Sequence, residues 1–153
     1  MDTTPIAQFL CKANRAGYGN AETVETTESD GSHSITYTED GWSFHDNYFG
    51  GEPFGGREVI FHNRHAVWMM TYFGGAVEKA PNIGELYSFL KSALLKFPED
   101  LPLRGPSSFS DGDWNYTCDI SGDMSSFIGK ERIEFKNNVL FITHFNGGLV
   151  DIQ

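Results

Sequence analysis

Three acidic residues fall where strand alternation turns them inward. In Trp42-Ser-Phe44-His-Asp46-Asn-Tyr48 every second residue shares a face, so Asp46 stands with Trp42, Phe44 and Tyr48. A carboxylate on such an apolar face must be paired, hydrogen-bonded, protonated or turned toward a cavity. The same alternation places Glu58 with Ile60 and His62, and Glu131 with Ile133 and Phe135. Acids that line one pocket push their proton affinities apart, which suits general acid–base chemistry or ligand recognition. The plainer role is structural. Asp46 would tie down turn amides or pair with an arginine, and Glu58 and Glu131, each two residues after a glycine, would bind the backbone of a tight turn. Arg104 is the cation that could pair such an acid or clamp an anionic ligand. Trp68 and Tyr72 alternate with Met70 and could line a cavity or simply fill the core. The candidate ligand-binding set is therefore Asp46, Tyr48, Glu58, Trp68, Tyr72, Arg104 and Glu131.

Other chemistries find little support. The five histidines include His62 and His65, which flank a two-residue turn, and His45 beside Asp46, but there is no HExxH, HxH or Cys/His ligand spacing. We therefore expect no metal and no cofactor. The glycine-rich segment from Gly50 to Gly56 has no Lys-Ser/Thr after it and no helix to follow. No serine sits in a Gly-x-Ser-x-Gly elbow. Cys118, with predicted burial on a strand, reads as an inert thiol. No catalytic residue can be named.

The elements that must position these residues come in two similar sets. Trp42, Phe44, Asp46, Tyr48 and Gly50 match Trp114, Tyr116, Cys118, Ile120 and Gly122. After a one-residue insertion, Glu58, Ile60, Trp68, Tyr72 and Gly74-Gly75 match Glu131, Ile133, Phe141, Phe145 and Gly147-Gly148. A helix precedes each set. The first is expected from Thr4, with Pro5 at its first helical position, Ile6, Phe9, Leu10 and Ala13 as its apolar stripe, and Gly17 as its stop. The second follows Asn82, with Glu85 completing a capping box, and Pro98 ends it. Strands are predicted near 34–37, 42–48, 57–62 and 66–72, and again near 107–109, 114–120, 130–135 and 139–145. Asp40-Gly41, Asn63-Arg64, Asp111-Gly112 and Asn137-Asn138 supply the turns. The last strand of each set is apolar on both faces, which predicts a mid-sheet place buried on both sides. Residues 19–33 are polar and acidic, a mobile loop or loose edge strand, and residues 98–106, with three prolines, form a stiff connector.

The fold class expected is α+β: one domain over residues 1–153, made of two tandem helix-plus-antiparallel-meander repeats, about 4–77 and 82–150, related by pseudo-twofold symmetry. Whether they share one sheet or face each other as two is open. With 39% hydrophobic and 21% charged residues the chain can bury a core. Its 13 Phe, 6 Tyr and 3 Trp favour strands. A net charge of −10 opposes direct binding to nucleic acid or to an anionic membrane. No stretch approaches a membrane span, the N-terminal residues carry no basic region or apolar run, and Cys11 and Cys118 lack Cys-x-x-Cys partners. These features predict a reduced, cytoplasmic protein.

At Asp46-x-Tyr48-Phe49-Gly50, Gly56-x-Glu58, Val67-Trp68-x-Met70-x-Tyr72 and Arg104-Gly105-Pro106 the chain resembles a bacterial domain family of unknown function. Members of that family sometimes follow an N-terminal helix-turn-helix of the lambda-repressor (XRE-like) type. The resemblance implies a fold and no activity, and this chain has no helix-turn-helix segment of its own. Three functions compete. A small-molecule-binding or sensor-like domain, with a pocket between the repeats, stands first. An interaction or structural domain, such as a homodimer through an edge strand, is the alternative. An enzyme using Asp46 or Glu58 for acid–base chemistry is the third.

Overall fold

Two-residue turns organise the chain into hairpins. A computed structural model describes residues 2–19, 23–77 and 80–151. Helix α1 (Thr4–Gly19) is followed by β1 (Val24–Thr27), β2 (His33–Glu39), β3 (Trp42–Phe49), β4 (Phe54–His62) and β5 (His65–Ala76). Helix α2 (Ile83–Leu94) then leads into β6 (Ser108–Asp111), β7 (Trp114–Asp123), β8 (Ser126–Phe135) and β9 (Asn138–Leu149). Asp40-Gly41 and Asn63-Arg64 close their hairpins with positive φ at both positions, the backbone twist that tight antiparallel turns require. The other two turns sit one residue earlier or later than expected. Gly112-Asp113 joins β6 to β7, and Lys136-Asn137 joins β8 to β9.

The protein is α+β, with two helices and a single nine-stranded antiparallel sheet in the order β1-β2-β3-β4-β5-β9-β8-β7-β6. The open question of one sheet or two is thereby answered: β5 and β9 pair directly, with Tyr72 opposite Phe145. Cross-strand partners share a face, so the register carries Phe44, Ile60 and Trp68, and likewise Tyr116, Ile133 and Phe141, to one side. Both helices pack there. Phe9 of α1 stacks on Trp42, and Phe89 of α2 stacks on Trp114 and Phe109. Trp68, Met70, Ile60, Ile133 and Phe141 are fully buried beneath them.

The opposite face explains one failed expectation. β5 and β9 are indeed central, but they are covered on one side only. Phe73 and Ile128 stand exposed on the far face at 63% and 65%, and His144 is exposed beside them. Apolar composition on both faces reflected an uncovered apolar patch, not burial on both sides. Other differences are local. α1 runs past Gly17 to Gly19, and α2 stops at Leu94, before Pro98 can act. Asn82 adopts a left-handed conformation and makes no side-chain cap, so the capping box does not form. Residues 24–27 of the acidic segment form the edge strand β1, and residues 20–22 lie outside the described residues.

Candidate functional site

The connector between α2 and β6 delivers the cation of the site. Asn14 of α1 donates to the Pro102 carbonyl at 2.8 Å, the Cys11 thiol donates to the Glu99 carbonyl, and Arg15 pairs with Glu99. Leu103 is buried against the core. With the connector held at these points, Arg104 projects inward with only 9% of its side chain exposed. It pairs with Glu131 of β8, donating through Nε at 3.0 Å and through Nη2. The other Glu131 oxygen accepts the Tyr116 hydroxyl at 2.7 Å, and that hydroxyl in turn accepts the Gly105 amide at 3.0 Å. Glu131 is thus a fully buried carboxylate with both oxygens engaged.

Glu58 occupies a comparable mid-strand position in β4 with a different neighbourhood. In β7–β8, Cys118 is opposite Glu131 and Tyr116 is opposite Ile133. In β3–β4, Asp46 is opposite Glu58 and Phe44 is opposite Ile60. Phe44 has no hydroxyl to give, and the residue facing Glu58 is a second carboxylate. Directly opposed side chains start about 5 Å apart, so the two acids repel. Glu58 makes no hydrogen bond among the described residues, although it is only 5% exposed. Burial, with Asp46 and Glu131 adding to it and Arg104 opposing, pushes Glu58 up to about 8. Burial likewise raises Asp46, to about 6, against the pull of the Tyr72 hydroxyl and Arg104. That hydroxyl donates to Asp46 Oδ1 at 2.5 Å. The Tyr72 phenol is itself driven upward by burial and by the Asp46 charge, so it remains a donor.

Gly56 makes this geometry possible. A Cβ there would lie 2.6 Å from the Tyr72 hydroxyl and 2.5 Å from the Asn47 carbonyl. Tyr72 crosses over Gly56, its cross-strand partner, to reach Asp46. Gly129 and Phe145 make the same kind of pair in the other half, where a Cβ would meet the Phe145 ring at 2.2 Å. Phe145 has no hydroxyl, and the position facing Glu131 is Cys118, whose thiol burial and Glu131 together push up to about 11.

A cavity of about 430 Å³ opens above the Asp46–Glu58 pair. Tyr48, Tyr72, Arg104, Phe54, Tyr87, His33 and Leu94 line it with the two acids. The cavity therefore gathers five of the seven residues singled out from sequence: Asp46, Tyr48, Glu58, Tyr72 and Arg104. Glu131 sits behind it, reached through Arg104. Trp68 does not take part: it is wholly buried, donates its indole N–H to the Met124 carbonyl at 3.0 Å and stacks on Phe127. Its role is core packing. Sequence reasoning missed Glu52, His33 and Tyr87. Glu52 accepts the Ala76 amide at 2.7 Å and the Tyr87 hydroxyl, which ties the β3–β4 loop to β5 and to α2 and closes one wall. His33 stacks on Tyr48 at 5.3 Å. Neither Glu52 nor Tyr87 belongs to a periodic stripe, so no pattern marked them. A smaller cavity of about 60 Å³ touches Asp46 and Glu58 from the α1 side.

The segment that builds this floor and its cation is also the segment with a family match. The chain belongs to the DUF5680 family, a domain of unknown function, matched over residues 46–150. The DUF5680 span starts at Asp46 and takes in Glu58, Tyr72, Arg104 and Glu131, while α1, β1 and β2 precede it. No curated protein and no solved structure matches the chain. Among the described residues no three His, Cys, Asp or Glu side chains are grouped to hold a metal ion, and no helix is long and apolar enough to cross a membrane.

Proposed function

We propose that the protein is a small-molecule-binding, sensor-like domain whose ligand occupies the cavity over Asp46 and Glu58. One observation carries the reading: Glu58, only 5% exposed, makes no hydrogen bond among the described residues and turns its carboxyl to a cavity of ligand size. A buried carboxylate of that kind raises the free energy of the unliganded fold, and a ligand that satisfies it recovers the loss. The reading places the ligand between the β2–β5 half of the sheet and the α2 helix with its following connector. It also takes the two halves as diverged copies of one unit. In support of that, β5 and β9 meet with Tyr72 opposite Phe145, and Glu58 and Glu131 face matching positions on β3 and β7. One copy keeps the closed Arg104–Glu131–Tyr116 arrangement, and the other opens into the cavity. Two buried free thiols accord with a reducing, cytoplasmic setting.

A screen of thermal unfolding against metabolites tests the proposal. A ligand of the folded state raises the midpoint by mass action, by roughly 2.7 kcal/mol at a hundredfold excess over its Kd. The expected result is a hit whose shift is lost in Asp46→Asn and Tyr72→Phe. Hits that are indifferent to both changes would remove the cavity from consideration. A second reading, an interaction domain, rests on the uncovered sheet face with exposed Phe73 and Ile128.

A further inference from the structure

The cavity has an excess of carboxyl groups at its floor. Among the described residues three carboxylates, Asp46, Glu58 and Glu131, converge on one guanidinium, and Arg104 is paired with Glu131. On the cavity side Asp46 has only the Tyr72 hydroxyl, and Glu58 has no hydrogen-bond donor among the described residues. An anionic ligand would oppose ionisation of both acids. A neutral ligand would leave Glu58 to hold its proton, whereas a cation lets both acids ionise against it. The walls suit a cation, because the rings of Tyr48, Phe54, Tyr72 and Tyr87 border the same space and aromatic faces attract cationic nitrogen. A net charge of −10 concentrates cations near the surface as well. We propose that the ligand carries a cationic nitrogen (an amine, amidine or guanidine) on an aromatic or branched aliphatic group. The nitrogen sits against Asp46 and Glu58, and the apolar part lies against Phe54, Tyr87 and Leu94. This assignment rests on the binding-cavity reading above and narrows it to one ligand class.

Isothermal titration of the full chain with four probes of one shape tests it: benzylamine, phenethylamine, benzyl alcohol and phenylacetate. The two amines bind, the alcohol binds at least about tenfold more weakly, and phenylacetate is silent. Asp46→Asn and Glu58→Gln, which keep shape and remove the group that ionises against the ligand, each weaken the amines by about tenfold or more. Circular dichroism confirms that both variants fold, and Asp119→Asn on the far sheet face leaves binding unchanged. Alcohol or phenylacetate binding as tightly as benzylamine, with sensitivity to Tyr72→Phe, overturns the cationic assignment and keeps the cavity. Silence of all four overturns both.

Discussion

Replacing Glu58 with glutamine should flatten the fall in stability between about pH 5 and pH 8. Glu58 ordinarily ionises at 4.5 and is raised by burial beside Asp46 to about 8. Below the lower value the folded and unfolded chains both hold the proton. Between the two values only the folded chain holds it, so stability falls as pH rises and the loss is complete above pH 8. At about 1.4 kcal/mol per pH unit, one proton retained over that interval corresponds to on the order of 5 kcal/mol. Asp46, raised from 3.8 to about 6, acts in the same direction, and the two titrate as a pair, so their effects do not simply add. Glutamine cannot ionise, while its buried amide costs about 1–3 kcal/mol at every pH. The variant should therefore be less stable than the parent in mild acid and more stable by roughly 2–4 kcal/mol in mild alkali. Exposed Asp2, Asp30 and Asp123 are held below their ordinary value by hydrogen bonds, so their contributions are lost only in more acidic solution and leave this interval clear. Urea unfolding followed by tryptophan fluorescence across the interval measures the difference. Parallel curves for parent and variant, or a parent that gains stability toward pH 8, would refute the reasoning.

Other changes probe the supports of the site. Tyr72→Phe removes the donor that favours ionised Asp46, so the carboxyl should rise further and its share of the fall in stability should extend to higher pH, read by the same pH series. Gly56→Ala drives a methyl into the Tyr72 hydroxyl and the Asn47 carbonyl and should cost about 1–3 kcal/mol in denaturant midpoint. Arg104→Met leaves Glu131 buried with Tyr116 alone and should cost about 3–5 kcal/mol; adding Glu131→Gln should restore part of it, and a double variant no better than the single would speak against the pair. Trp68→Phe, which loses the bond to the Met124 carbonyl, should cost about 1–2 kcal/mol without changing ligand affinity.

Local pattern carried the sequence reading where chemistry is local. Alternation in β3 put Asp46 on the same face as Trp42 and Phe44, and the matched positions in β8 and β4 turned Glu131 and Glu58 inward, as they lie. The hairpin at Asp40-Gly41 was legible because few residues accept positive φ twice in succession. What failed was set by tertiary contacts. Trp68, Met70 and Tyr72 read from sequence as either core or cavity lining, and tertiary contacts divide them: Trp68 donates to the Met124 carbonyl in the core, while Tyr72 reaches the cavity. Helix α2 ends at Leu94, and a tightened turn, with the Lys96 and Phe97 amides on the Ala93 and Leu94 carbonyls, carries the chain through buried Phe97 before Pro98 is reached. Glu52 and Tyr87 meet across the chain through a loop and a helix face that no periodicity connects.

The most direct test follows backbone amide NMR shifts as the best hit of the ligand screen is added. Binding in the cavity predicts shifts gathered on Asp46, Tyr48, Glu58, Tyr72, Tyr87 and Arg104. Shifts gathered instead around Phe73, Ile128 and His144, on the open face of the sheet, would contradict it and mark that face as the working surface.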